Sequence, residues 1–83
     1  MYDYEDYKFV VTVKVNGTTV SLRLPYSEYQ TALDAAQGII DAEAVSGDKV
    51  YVLITLAGIN YKGDGIPSCI TDLNVLHDQT MYI

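Results

Sequence analysis

Residues 50–57 read Val-Tyr-Val-Leu-Ile-Thr-Leu-Ala, and this stretch decides the fold. It carries no charge, one hydroxyl residue besides tyrosine, and β-branched side chains at Val50, Val52, Ile54 and Thr55, with Ile59 just beyond. Gly47-Asp48 precedes it and Gly58 follows it. So short and apolar a run, bounded by turn residues, predicts a strand covered on both faces. A buried helix is the rival, and the length and β-branched content argue against it.

The segments before this strand supply its neighbour and its cover. Phe9, Val11, Val13 and Val15 alternate with Lys8, Val10, Thr12 and Lys14, which is strand periodicity. Asn16-Gly17 suits a two-residue type I′ turn, so 8–24 reads as a hairpin. That turn sets Val15 opposite Thr18, Val13 opposite Val20, Val11 opposite Leu22 and Phe9 opposite Leu24. The other face pairs Lys14 with Thr19, Thr12 with Ser21 and Val10 with Arg23. A slip of one residue would destroy this segregation of apolar from polar.

Pro25 ends the second strand, and Ser27 with Gln30 has capping-box spacing, with Glu28 in the first helical turn. Tyr29, Leu33, Ala36 and Ile40 form a helical stripe flanked by Ala32 and Ile39. Gln30, Asp34, Gln37 and Asp41 occupy the opposite face. Gly38 weakens this helix by about 1 kcal/mol relative to alanine. Ser46-Gly47 stops it, and Glu43 falls back onto the apolar stripe, at the rim of the core or in a frayed last turn.

Beyond the central strand, 58–68 reads as a loop with a tight turn at Gly63-Asp64-Gly65. Residues 69–76 read as a strand with Thr71, Leu73 and Val75 inward and Asp72 and Asn74 outward, suited to an edge. Residues 80–83 form a fifth strand or a tail. The expectation is an α+β fold: a single-layer, mostly antiparallel sheet in ββαββ order, with one helix packed on one face. Eighty-three residues make one domain with a small core. Residues 1–7 interleave Tyr2, Tyr4 and Tyr7 with Asp3, Glu5 and Asp6, as a frayed terminus or an acidic, tyrosine-bearing contact arm.

Catalytic and metal-binding patterns are sparse. One histidine and one cysteine make no metal cluster, and no cofactor is expected. Cys69 and His77 on one strand would lie ~26 Å apart, too far for a nucleophile and its base. Cys69 then reads as a small apolar filler and His77 as a terminal surface residue. Gly63-Asp64-Gly65 lacks the length and lysine of a phosphate loop. Asp72 and Asp78, ~20 Å apart along a strand, make no acid–base pair. The expectation is that the protein is not an enzyme.

Charge is the remaining signal. The net charge of −6 argues against direct binding to nucleic acid or to an anionic membrane. No apolar run spans a bilayer, the acidic N-terminus is unlike a signal peptide, and a lone cysteine fits a reducing, cytoplasmic setting. Residues 25–48 hold five acids (Glu28, Asp34, Asp41, Glu43, Asp48) and no lysine or arginine. Asp41 and Glu43 sit at the helix end where carboxylates are unfavourable, and no i+4 lysine relieves Asp34 or Asp41. A solvated acidic face accounts for this, as does a surface shaped to meet a basic groove in place of nucleic-acid phosphates.

In size, element order and concentrated acidity, rather than in any motif, the chain resembles small phage-encoded inhibitors of bacterial defence of the anti-CRISPR type. The resemblance implies a non-catalytic protein acting in the bacterial cytoplasm, occupying the nucleic-acid channel or an assembly surface of a CRISPR effector. Asp34, Asp41, Glu43 and Asp48 would face lysines and arginines of that partner, with Asp3, Glu5, Asp6, Tyr2 and Tyr4 as a second contact. The alternative is a homo-oligomeric structural or accessory module, a homodimer among the options, that pairs through an edge strand or through tyrosine-bearing surface.

Overall fold

A computed structural model describes residues 4–21 and 24–83. The chain is α+β: strands β1 (Asp6–Val15), β2 (Thr18–Thr19) and β3 (Pro25–Tyr26), helix α1 (Tyr29–Glu43), then strands β4 (Lys49–Tyr61) and β5 (Pro67–Tyr82). All strand pairs are antiparallel, in the order β2-β1-β4-β5, with β3 also paired to β1. The helix packs on one face. The expected order holds in outline, with β2 and β3 in place of one second strand.

The β1–β2 turn forms as its residues require. Asn16 and Gly17 both take positive φ, 51° and 86°, and the register places Val15 opposite Thr18 and Lys14 opposite Thr19. The Val20 amide still donates to the Val13 carbonyl at 2.9 Å. There the expected ladder stops, because the Val13 amide donates instead to the Ser21 hydroxyl at 2.8 Å. With a side chain in place of the next main-chain acceptor, the strand leaves the sheet and rejoins it two residues out of the expected register. Phe9 faces Tyr26 rather than Leu24, and Val10 faces Pro25. Leu24, expected inside, is 51% exposed. Leu22 and Arg23, the expected partners of Val11 and Val10, lie outside the described residues.

α1 buries Ala32, Ala36 and Ile40, with Tyr29, Leu33 and Ile39 partly covered. These pack on Val11 and Val13 of β1 and on Val50, Val52 and Ile54 of β4. Complete burial of a valine or isoleucine contributes about 1.5–3 kcal/mol, so this seam is the main source of stability. The capping box does not form. Glu28, expected in the first turn, is the N-cap residue and makes no side-chain cap bond. The Ser27 hydroxyl accepts from Lys8 Nζ at 3.0 Å, and Gln30 turns forward to Asp34. The helix ends at Glu43, three residues before Ser46, with the Ala44 amide bonded to the Ile40 carbonyl.

β4 is interior, as expected, and longer than the apolar run. Burial on both faces begins only at its midpoint, and even beyond it Leu56 stays half-exposed. Val50, Val52 and Ile54 are buried toward the helix while Tyr51 and Leu53 stay half-exposed; farther on, Thr55, Ala57 and Ile59 are buried as well. The loop expected over 58–68 is shorter: β4 runs to Tyr61 and β5 starts at Pro67. Gly63, Asp64 and Gly65 all adopt positive φ, and the Lys62 amide bonds to the Ile66 carbonyl at 3.1 Å.

β5 is a single edge strand of 16 residues, joining the two segments expected apart. It faces 13 residues of β4, and the excess of three is absorbed by three register shifts, opposite Ile54/Thr55, Leu56/Ala57 and Asn60/Tyr61. Two of them fall among Asp72–Leu76 and break the expected alternation. Leu73 and Val75, expected inward, are exposed, Val75 by 56%.

Candidate protein-binding surface

The outward side of α1 presents Asp34 and Asp41, both exposed. Seven residues on a helix place them about 10 Å apart along the axis on nearly one line. Each is oriented by an amide one turn before it: Gln30 Nε2 donates to Asp34 Oδ1 at 3.0 Å and Gln37 Nε2 to Asp41 Oδ1 at 2.9 Å. These neutral donors fix the carboxylates without neutralising them. Among the described residues the ion pair is Lys8–Asp6 at 3.3 Å, far from this ridge in sequence. No basic residue occupies the last helical turn, so Asp41 and Glu43 face the negative end of the helix dipole unrelieved.

The other expected contact residues separate from this ridge. Glu43 is exposed at the helix end rather than set at the core rim. Asp48 is a structural residue: its carboxylate accepts from the Val45 amide at 2.9 Å and from Asn16 Nδ2 at 3.0 Å, closing the α1–β4 turn onto the β1–β2 turn. Those donors, the Val45 amide foremost, hold its carboxyl below the usual range.

The N-terminal segment is docked from Tyr4 onward instead of projecting as an arm. The Tyr4 ring lies directly on Gly58, where a Cβ would collide with it, and meets Tyr7 edge-on at 5.9 Å. The Glu5 amide donates to Asn60 Oδ1 at 3.1 Å, and Glu5 Oε1 accepts from the Tyr61 amide at 3.3 Å. Asp6 accepts from the Tyr7 amide, from Lys8 and from the Tyr61 hydroxyl at 3.2 Å. The Tyr7 amide is the largest of the influences that keep the Asp6 carboxyl low, while burial and then Asp6 push the Tyr61 phenol up. Tyr2 and Asp3 lie outside the described residues.

No group of three histidine, cysteine or acidic side chains that could hold a metal occurs among the described residues. Cys69, expected as apolar filler, is exposed on the edge strand with Sγ 3.5 Å from Thr71 Oγ1. The reason is its place on the outermost strand, opposite Asn60, away from the helix. His77, expected at the surface, is half-buried opposite Ile54. It lines an open cleft of about 350 Å³ with Leu33, Ala36, Ile40 and Met81. Another open cleft, of about 590 Å³, lies on the sheet face away from the helix and is lined by Lys14, Lys49, Tyr51 and Thr80. Burial and a hydrogen bond to Asp78 raise the Tyr51 phenol. Sequence reasoning passed over this pair of lysines because they sit 35 positions apart and meet only through the β1–β4 pairing.

No family model, curated protein or solved structure matches this chain. No helix among the described residues is long and apolar enough to cross a membrane.

Proposed function

We propose that this protein is a non-catalytic inhibitor that seats the outer face of α1 in a basic groove of a nucleic-acid-binding partner, a CRISPR effector of bacteria in the leading version. The observation that carries the reading is the Asp34–Asp41 ridge, exposed, held in place by Gln30 and Gln37, and without a lysine or arginine on the helix. A helix selected for solubility alone mixes both signs of charge. Carboxylates kept at an unfavourable helix end fit a surface matched to a positive partner. Glu43, the last residue of α1, lies roughly 180° around the helix from Asp34 and is not part of the ridge; Asp48, Asp6 and Glu5 are committed within the fold and contribute field rather than contact.

The test is target-DNA cleavage by a panel of purified CRISPR effector complexes, with the wild-type protein and the Asp34→Lys/Asp41→Lys variant. The expected result is inhibition of at least one effector by the wild type. Two charge reversals at about 1 kcal/mol each weaken it roughly 30-fold, with an unchanged circular dichroism spectrum. Inhibition undiminished by the reversal, or a panel without inhibition, refutes the proposal.

A further inference from the structure

The open edge of β5 is divided into two unlike halves. From Pro67 to Leu76 it carries a proline and all three register shifts, devices that spoil pairing with another strand. From His77 to Tyr82 it is regular, each residue facing its β4 partner without a shift from Ile54 to Lys49. This half contains no proline, glycine or lysine.

Its hydrogen-bonding direction follows from the bonds at its end. The Ile83 amide donates to the Asp48 carbonyl and the Ile83 carbonyl accepts from the Gly47 amide, so Ile83 points toward β4. Strand alternation then turns Met81, Gln79 and His77 toward β4 and leaves the amides and carbonyls of Asp78, Thr80 and Tyr82 aimed outward. An independent bond agrees. The Lys49 carbonyl accepts from the Asn16 amide, so Lys49 faces β1 and its partner Tyr82 faces away from β4.

We propose that this edge pairs with the same edge of a second copy of the chain, antiparallel, with the two-fold axis at Thr80. In that register Thr80 faces Thr80 of the second copy, and Asp78 faces Tyr82 in both directions. Every residue so paired has outward-directed backbone groups, giving six main-chain hydrogen bonds. No like charges stand opposite each other. A dyad at Gln79 makes four such bonds, and one at Asp78 sets two carboxylates face to face. Electrostatics agree with the Thr80 register. Asp78 of the second copy enters the cross-strand row that holds Tyr82 and Lys49, about 10 Å from Lys49 between Cα atoms, within reach of a lysine side chain. Lys49 lines the cleft that Thr80 borders, and Tyr82, 73% exposed on the single chain, is covered. This inference stands independently of the inhibitor reading.

The experiment is sedimentation equilibrium of the full chain over a micromolar-to-submillimolar series, with amide hydrogen exchange read by NMR. The expected species has twice the 9.2 kDa chain mass, with exchange at Asp78, Thr80 and Tyr82 slowing as concentration rises. Thr80→Lys places two ammonium groups at the dyad, and Thr80→Pro removes an outward amide without removing a bond to β4. Both are expected to be monomers with wild-type circular dichroism; if the proline variant fails to fold, the lysine variant decides alone. A wild-type monomer throughout the series, or a dimer that persists in folded Thr80→Lys, overturns the proposal.

Discussion

Replacing Gly58 with alanine tests how the N-terminal segment is held, because the sign of the effect depends on a residue 54 positions away. On backbone grounds alone the change should help, since glycine within a strand costs about 0.5–1 kcal/mol relative to alanine. Gly58 is buried in β4, and the three atoms nearest its absent Cβ all belong to the Tyr4 ring, closer than any real contact allows. The ring must therefore leave. Its departure exposes roughly 100 Å² of apolar surface, about 2–2.5 kcal/mol. It also releases the edge contact with Tyr7 and loosens the Glu5 bonds to Asn60 and Tyr61. The net expectation for Gly58→Ala is a loss of about 1–2 kcal/mol. Tyr4→Ala alone should cost about 2–3 kcal/mol, from the same contact. In the Tyr4→Ala background the ring is absent, so alanine at 58 should stabilise by up to about 1 kcal/mol. The assay is a double-mutant cycle by urea denaturation, followed by far-ultraviolet circular dichroism. Equal destabilisation by Gly58→Ala in both backgrounds would refute the reasoning, placing the cost in β4 rather than under Tyr4.

Two further expectations concern the turns that fix the register. Asp48 has a depressed folded-state pKa, so its ionised form contributes stability above the unfolded value near 3.8 that is lost as pH falls through the lower folded value. Asp48→Asn should therefore be less stable than wild type at neutral pH, and the gap should close in acid below about pH 4; a gap constant from neutrality into acid contradicts the assignment. Ser21→Ala leaves the part-buried Val13 amide without its acceptor and should cost about 1–3 kcal/mol in urea denaturation, whereas an unchanged midpoint would show that the strand re-forms the regular ladder.

What was legible in the sequence was whatever short-range periodicity governs. Asn16-Gly17 fixed its turn and the first two pairs, and the helical spacing of Ala32, Ala36 and Ile40 marked the buried face. The uncharged run at Val50–Ala57 identified the strand with neighbours on both sides. Illegible were competitions between a side chain and the main chain for one hydrogen bond. Ser21 and Thr19 look alike in an alternating pattern, yet Ser21 captures the Val13 amide and moves Tyr26 to the place expected for Leu24. Ser27 has cap spacing but meets Lys8, a residue brought near by the sheet. Residues 67–82 failed as a pattern because register shifts reset the period, so alternation read across them assigned Leu73 and Val75 to the wrong side. Among the acids, charge distribution separated the helix from the rest of the chain. It did not distinguish Asp34 and Asp41, which face outward, from Asp48 and Asp6, which hold the fold together.

The two proposed surfaces constrain each other through symmetry. Antiparallel pairing within a sheet places the two-fold axis perpendicular to it, so the dimer would carry both helices on the same side. α1 packs chiefly over β1 and β4, and the strand order from one β1 to the other crosses five spacings, roughly 24 Å. Two Asp34–Asp41 ridges would then face one direction at that separation, neither covered by the β5 edge. A partner with basic sites at matching distance would bind the dimer with a gain from effective concentration, while one with a single groove would not distinguish dimer from monomer. Thr80→Lys therefore has a second readout: it should lower the potency of a bivalent inhibitor while leaving single-site affinity intact. Asp34→Lys/Asp41→Lys should weaken the contact roughly 30-fold without changing the dimer mass. The edge and the ridge can thus fail separately, and each failure points to its own surface.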